Sequence, residues 1–415
     1  MRFSDQAMNQ THPQWSTAIR RPRFLYERED DIRSPFERDY TRLLHSTAYR
    51  RLKHKTQVFF ASANDHVCTR MEHVQLVASV SHSLSKRLGL NTELARAIAL
   101  GHDLGHAPFG HHGERVLAQV AREALGRPFW HEGNSLRFAD GLETLPDPDG
   151  QERNLDLTYA VRDGIITHCG EVTEERLYPR VEPIDLWEIE AASELAPFTW
   201  EGCIVKVADT ISYLGRDIED AYRLGLLGRT ELRQLIRIVR RCGLNWSRLN
   251  NGLLMHELML DLVNGSSPEN GICICPPYHE LVRALKEFSR THIYDHDRLR
   301  AYQDYATLVI RTIYEKLAPW DSREDSMDKL RHRLRPYPLL GRHFTKWLLT
   351  YSDRRPGHGR FKRFDNRVVY HLDREGDYRQ AIVDFISGMT DHFAIRVFNE
   401  LTSLQMETSP LPPET

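Results

Sequence analysis

The feature that most constrains this chain is the helical period of its apolar residues. Between Val67 and Leu88 they fall at Val67, Met71, Val74, Val77, Val80, Leu84 and Leu88, in steps of three or four. That spacing lays one apolar stripe along an α-helix; a strand would need alternation at every second residue. The pattern recurs downstream. Asn91 is placed to N-cap a second helix, with Glu93 in its first turn and Leu94, Ile98 and His102 at i+4 steps. A helix is expected over 157–168. Ile204, Val207, Ile211, Leu214 and Ile218 mark one side of a long helix over 201–227. Strand signals are sparse, the best short candidate being 366–370. The expected fold class is all-α.

A chain of 415 residues is long enough for one large core plus a satellite. Lys+Arg of 56 against Asp+Glu of 58 gives a formal charge of −2, which argues against a dedicated nucleic-acid coat. No apolar run is long enough to span a membrane, and MRFSDQAMNQTHPQW at the N-terminus has no apolar core. A cytoplasmic protein with no membrane partner and reduced thiols is expected. Cys273 and Cys275 stand as C-I-C, which is not the spacing of a structural zinc site. The reading divides the chain into an N-terminal arm over 1–34, a core over 35–228, a helical C-terminal region over 229–408 and a disordered tail over 409–415. Residues 1–20 are expected to be mobile and 144–154 to be a polar loop. Residues 321–363, rich in Arg with three prolines, suggest a surface excursion. Residues 376–405 read as one last helix with Gly388 inside it.

Histidine is frequent, at 21 residues. It is the commonest metal ligand and the side chain that titrates near neutrality. The sharpest local feature is the adjacent pair His102-Asp103, at the end of a helical run. His73 stands beside the apolar stripe of an earlier helix, and Asp209 lies on the long helix over 201–227. Two imidazoles and two carboxylates from three helices suit a hard or borderline divalent cation and leave positions open for water and phosphate oxygens. Taken singly, each has an ordinary explanation: a hydrogen-bonded core His, a chance His-Asp pair, a carboxylate on a helix surface. Asp209, Tyr213 and Asp217 are four apart and share one helix face; Tyr213 alone reads equally well as a core aromatic. Two basic groups, Arg331, Arg333, Arg335 and Arg354, Arg355, Arg360, Lys362, Arg363, could meet phosphate, nucleic acid or a neighbouring subunit, or simply be solvated.

The neighbourhoods of these residues carry more than the residues do. The segment 102–114 reads H-D-L-G-H-A-P-F-G-H-H-G-E, with T-R-M-E-H at 69–73 and A-D-T-I-S-Y at 208–213. Together they resemble the HD superfamily of metal-dependent phosphohydrolases, and more narrowly the deoxynucleoside triphosphate triphosphohydrolases of the dGTPase group. The likeness extends to H-S-T-A-Y-R-R-L-K-H-K-T-Q-V-F at 45–59, N-D-H-V-C-T-R at 64–70 and E-G-N-S-L-R-F at 132–138. It continues with G-R-D-I-E-D at 215–220 and D-F-I-S-G-M-T-D at 384–391, and is weakest over 225–365.

The resemblance implies an HD-domain helical core with an appended helical C-terminal region. It implies a divalent metal ion (Mn, Mg, Fe, Ni or Zn) held by His73, His102, Asp103 and Asp209. His111 and Glu114 fall on positions that serve acid/base or water-positioning roles in bacterial dGTPases. His106 and His131 fall where the animal SAM/HD dNTPases carry active-site histidines, and both sets stand as candidates here. Gln57 is implied to contact the sugar 3′-hydroxyl and Arg70 a phosphate, with Tyr213 and Asp217 reaching the nucleotide. The implied reaction converts a dNTP to deoxynucleoside and inorganic triphosphate. The rivals are a phosphohydrolase acting on nucleotide monophosphates or signalling nucleotides, and a regulator that binds dNTP without turnover. A homo-oligomer, with the hexamer among the family's forms, and a weak single-stranded DNA contact are further implications.

Overall fold

The computed structural model describes residues 2–26, 30–59, 66–169, 176–190, 195–244, 250–320, 327–374 and 376–403. Helices make up most of these residues, and the sheets among them are two antiparallel pairs of very short strands. No helix among the described residues is long and apolar enough to cross a membrane. The expected tail over 409–415 lies outside the described residues.

The centre of the bundle is the helix Thr92–Gly101. Asn91 caps it by accepting from the Glu93 and Leu94 amides, as expected. Its Leu94, Ala95, Ala97, Ile98, Ala99 and Leu100 are fully buried. Four helices pack around it: Pro35–His45, Arg70–Leu88, Tyr159–Thr167 and Trp200–Arg223. Its charged residues, Glu93 and Arg96, are half-buried near its start, and from Ala97 to Gly101 every residue is buried, so its C-terminal end belongs inside the bundle. Arg70–Leu88 begins in a reciprocal cap: Thr69 accepts from the Glu72 amide and the Glu72 carboxylate accepts from Thr69 N–H at 2.7 Å. It ends at Gly89, whose φ of +79° is the left-handed conformation that closes a helix.

After Gly101 the chain turns before the helix Gly110–Leu125. Backbones touch in this turn: a Cβ on Gly105 would meet the Ser135 nitrogen at 2.2 Å. Phe109 and Gly110 both have positive φ, at +66° and +61°. For Phe109, a residue with a Cβ, that is an uncommon and strained conformation. The C-terminal helices close over this part. Asp297–Leu317 packs on Gly110–Leu125 and on both Asp377–Ser387 and Asp391–Thr402. Buried apolar residues from Phe3 to Phe398 form one contiguous cluster.

Several expectations are corrected. Residues 1–20 are not a mobile arm: Phe3, Ala7, Met8 and Ala18 are buried, and Met8 N–H donates to the buried Glu201 carboxylate at 3.0 Å. The polar loop over 144–154 is a hairpin, Thr144–Pro146 against Glu152–Asn154. The segment 366–370 is not a strand; it ends in an isolated bridge from Tyr370 to Ser352. The Arg-rich stretch holds a core helix, Pro338–Tyr351, with Leu340, Phe344 and Leu348 fully buried. The last expected helix is two, because Thr390 starts a new one by capping the Phe393 amide.

Candidate active site

The central helix delivers His102 and Asp103 into the middle of the bundle. His73 comes from the first turn of Arg70–Leu88 and Asp209 from the middle of Trp200–Arg223. His73 Nε2 lies 2.9 Å from Asp209 Oδ1, and the His73 and His102 rings are 5.5 Å apart. Ligand atoms of His73, His102 and Asp209 fall within 4.8 Å of one another, and Asp103 Oδ2 is 3.5 Å from His102 Nε2.

One atom decides what this group fits. His102 Nδ1 donates to the Ala99 carbonyl at 2.7 Å, so Nε2 carries the lone pair. That Nε2 is buried and has no hydrogen-bond partner among the described residues. An unsatisfied acceptor of this kind costs about 1–3 kcal/mol unless something else fills it. A backbone carbonyl orienting an imidazole whose other nitrogen is open is the arrangement of a metal-ligating histidine. The residues present therefore fit a divalent cation. Burial pushes the Asp103 carboxyl up, but the neighbouring His102 imidazole and Arg70 guanidinium outweigh it and hold it well below the usual range. Asp209 is likewise opposed by burial and lowered by its bond from His73. Both stay ionised, the state that holding a cation would require.

A second cluster adjoins the first across Asp103. His106 and His131 stack with centroids 4.2 Å apart at 26°. Glu114 joins them: its Oε1 is 2.8 Å from His131 Nδ1 and also accepts the His131 N–H at 3.0 Å. Its Oε2 lies 3.7 Å from His106 Nε2 and 3.9 Å from His111 Nδ1. The two rival sets of the sequence are thus one cluster built around one carboxylate. Electrostatics separate its members. Burial lowers the His131 pKa, but Glu114 and Glu132 outweigh it and hold it well above the ordinary histidine value. His106 is driven well below that value by burial and by the positive charges of Arg70 and His131. His131 is therefore protonated beside a neutral His106 at neutral pH. His111 stands at the mouth, with its side chain 57% exposed.

These groups face a cleft of about 980 Å³. The residues singled out from the sequence line it, except His102 and Glu114, which are absent from its lining. Gln57 is buried, and its Oε1 has no hydrogen-bond partner among the described residues. Asp209, Tyr213 and Asp217 line the cleft together, as one helix face should. Burial raises the Asp217 pKa to about 6 against a 2.7 Å bond from the Tyr294 hydroxyl. Arg70, expected at a phosphate, is nearly inaccessible and bound to protein groups: Asp103 Oδ2 at 2.5 Å and the carbonyls of Thr56 and Gln57 at 3.3 Å.

Sequence reasoning missed the basic residues on the far wall. Arg283, Lys286 and Arg290 line the cleft from Pro276–Ser289 and the turn that follows it. It also missed Tyr294 and His168. His168 Nδ1 donates to the Ile165 carbonyl at 2.7 Å, and its ring lies 4.8 Å from that of His102. Burial lowers its pKa to about 4. The available signal for His168 was weak: one histidine at the end of a helical run.

The family described as HD domain matches residues 70–214. The chain is 34% identical over 404 residues to the deoxyguanosinetriphosphate triphosphohydrolase-like protein of Caulobacter sp. (strain K31), covering 93% of this chain and 94% of that one. It is 30% identical over 386 residues to the protein of the same name from Clostridium tetani, covering 91% and 88%. It is 35% identical over 295 residues to that of Desulfatibacillum aliphaticivorans, covering 66% and 77%. The chain belongs to the family of deoxyguanosinetriphosphate triphosphohydrolase-like proteins and carries its HD domain.

Proposed function

We propose that this protein hydrolyses deoxynucleoside triphosphates to deoxynucleoside and inorganic triphosphate. The observation that carries the reading is one cleft, lined by Asp103 and His131, with a cluster on either side of Asp103: His102 with its open imidazole nitrogen behind one wall, and His131, protonated and backed by Glu114, on the other. His73, His102, Asp103 and Asp209 would hold a divalent cation, which when bound would supply charge neutralisation at phosphate and a more acidic water.

The chain's own residues do the rest. Gln57 Oε1 accepts from the sugar 3′-hydroxyl, and Tyr213 packs beside the sugar. With the nucleoside anchored there, the α-phosphorus is the one nearest the four ligands. The β- and γ-phosphates extend towards Arg283, Lys286 and Arg290, which supply charge along a polyphosphate. A nucleotide monophosphate would leave that wall unused, so the cationic residues favour a triphosphate. As water oxygen bonds to the α-phosphorus and the bond to the 5′-oxygen breaks, His131 gives its proton to the leaving oxygen. Glu114 holds the imidazolium in place, and neutral His106 is free to accept a proton.

The test is turnover of all four dNTPs, with products identified, in protein stripped of metal and then supplied with Mn²⁺. Metal-dependent release of intact triphosphate supports the reading. Tight dNTP binding with no product in any metal would instead make the protein a nucleotide-binding regulator.

A further inference from the structure

The segment D-F-I-S-G-M-T-D at 384–391 has no part in the chemistry described above, yet it touches two of the loops that build the cleft. Asp391 opens the helix Asp391–Thr402 and is 5% exposed. Its Oδ2 accepts the Thr56 N–H at 3.0 Å and the Thr56 hydroxyl at 2.5 Å. Its Oδ1 accepts the Phe109 N–H at 2.9 Å. Thr56 is the residue before Gln57, and Phe109, with its strained φ of +66°, lies two residues before His111. One carboxylate thus spans the segment that carries Gln57 and the turn that runs from His106 to His111.

The residues beside it tie the same parts. Lys55 Nζ donates to the His106 carbonyl and to the Ser387 carbonyl, the latter at 2.8 Å. Asn134 Nδ2 donates to the Gly105 carbonyl at 2.6 Å and to Ser387 Oγ at 3.1 Å. The junction between the last two helices is therefore stitched to the backbone of the turn at Gly105, His106 and Phe109. We propose that Asp391 is a positioning residue that sets the register between sugar-side Gln57 and the proton-transfer turn His106–His111. This rests on the functional reading above in assigning those two sides their roles.

The carboxylate chemistry makes the idea specific. Three donors converge on Asp391, and an ionised carboxylate offers only acceptors. An asparagine has the same shape but presents an NH₂ group to one of the two sides, so it can hold Thr56 or Phe109 but not both. Misplacement of about 1 Å at a site of this kind costs on the order of a hundredfold in rate.

The experiment compares Asp391→Asn with Thr390→Ala in the full-length, Mn²⁺-loaded protein. Thr390 caps the same helix but bonds to neither loop, so its loss reports on helix stability alone. Asp391→Asn should keep its metal and its helical circular dichroism while kcat falls by about a hundredfold. Its preference for a dNTP over the 2′,3′-dideoxy analogue, which lacks the hydroxyl that Gln57 meets, should shrink. Thr390→Ala should melt earlier yet keep both kcat and that preference. Equal losses in the two variants, or wild-type kinetics in Asp391→Asn, overturn the proposal. Hydrogen exchange separates this from failure of the functional reading. Should the wild type turn over no dNTP, that reading falls, and exchange decides the positioning claim alone. Faster exchange in 55–59 or in 105–111, in Asp391→Asn only, supports it; unchanged exchange in both segments, or the same change in Thr390→Ala, overturns it.

Discussion

The two clusters at the cleft are made from the same kinds of side chain, imidazole and carboxylate, and put to opposite electrostatic use. In one, His102 turns an unpartnered Nε2 inward, with ionised Asp103 and Asp209 nearby. In the other, Glu114 takes up His131 Nδ1 and keeps that imidazole charged. What separates His102 from His131 is the partner of Nδ1: the Ala99 carbonyl in one and the Glu114 carboxylate in the other. A carbonyl accepts one proton and leaves the other nitrogen a lone pair, whereas a carboxylate stabilises the imidazolium.

The comparison breaks most visibly on the metal side. Asp209→Ala should abolish metal retention, measured by elemental analysis, and lower turnover by about 10⁴-fold or more, a fall in the range of a lost metal activator. Asp209 sits on the wall of the cleft with its side chain 17% exposed, so the helical fold should survive.

Glu114→Gln should do the reverse: full metal occupancy with kcat lower by about 10²-fold to 10³-fold, the scale of impaired proton transfer. Its sharper signature is the pH profile. A proton donor loses activity as pH rises through its pKa, and Glu114 is among the groups that raise that of His131. Removing the charge lowers it, so the alkaline limb of the rate profile should move to lower pH. An unmoved limb would take His131 out of the role.

The sugar side gives a smaller effect. Gln57→Ala removes one hydrogen-bond acceptor, about 1.4 kcal/mol or tenfold in kcat/KM for a dNTP. The 2′,3′-dideoxy analogue should be unaffected, because the wild type has no 3′-hydroxyl to hold in that case.

The smallest effect is on stability. Asp217 has its folded pKa raised from 3.8 to about 6, so between those values the folded state keeps a proton that the unfolded state has lost. Stability therefore falls as pH rises through that window and stays lower above it. Asp217→Asn removes this penalty. It should melt higher than wild type at pH 8, by about 1–3 kcal/mol in stability, with the gain closing by pH 4. A gain of equal size at both pH values would contradict the shift.

Legibility in the sequence followed the range of the forces involved. The helices of the first half could be read because their apolar stripes run unbroken and their caps are local: Asn91 acts on Glu93 and Leu94. The convergence of His73, His102, Asp103 and Asp209 was accessible through motif resemblance, not through spacing. The union of His106, His111, His131 and Glu114 was not legible, because it depends on a turn with two successive positive φ values. Nor was the burial of Lys55, which sits in a basic run that looks solvated but donates to carbonyls from two distant segments. The break near Gly388 was missed because an apolar pattern continues through it, while the Thr390 cap that starts the next helix is a single hydrogen bond. The hairpin over 144–154 has strands of only three residues, too short to show alternation.

The central claim is that the nucleoside is anchored at Gln57 with the α-phosphorus at the four ligands and His131 behind the 5′-oxygen. Hydrolysis in ¹⁸O-water with mass analysis of both products tests it directly. The account predicts label in intact triphosphate and none in the deoxynucleoside. Label in a deoxynucleoside mono- or diphosphate, or in a single released phosphate, would place the scissile bond elsewhere and contradict that orientation.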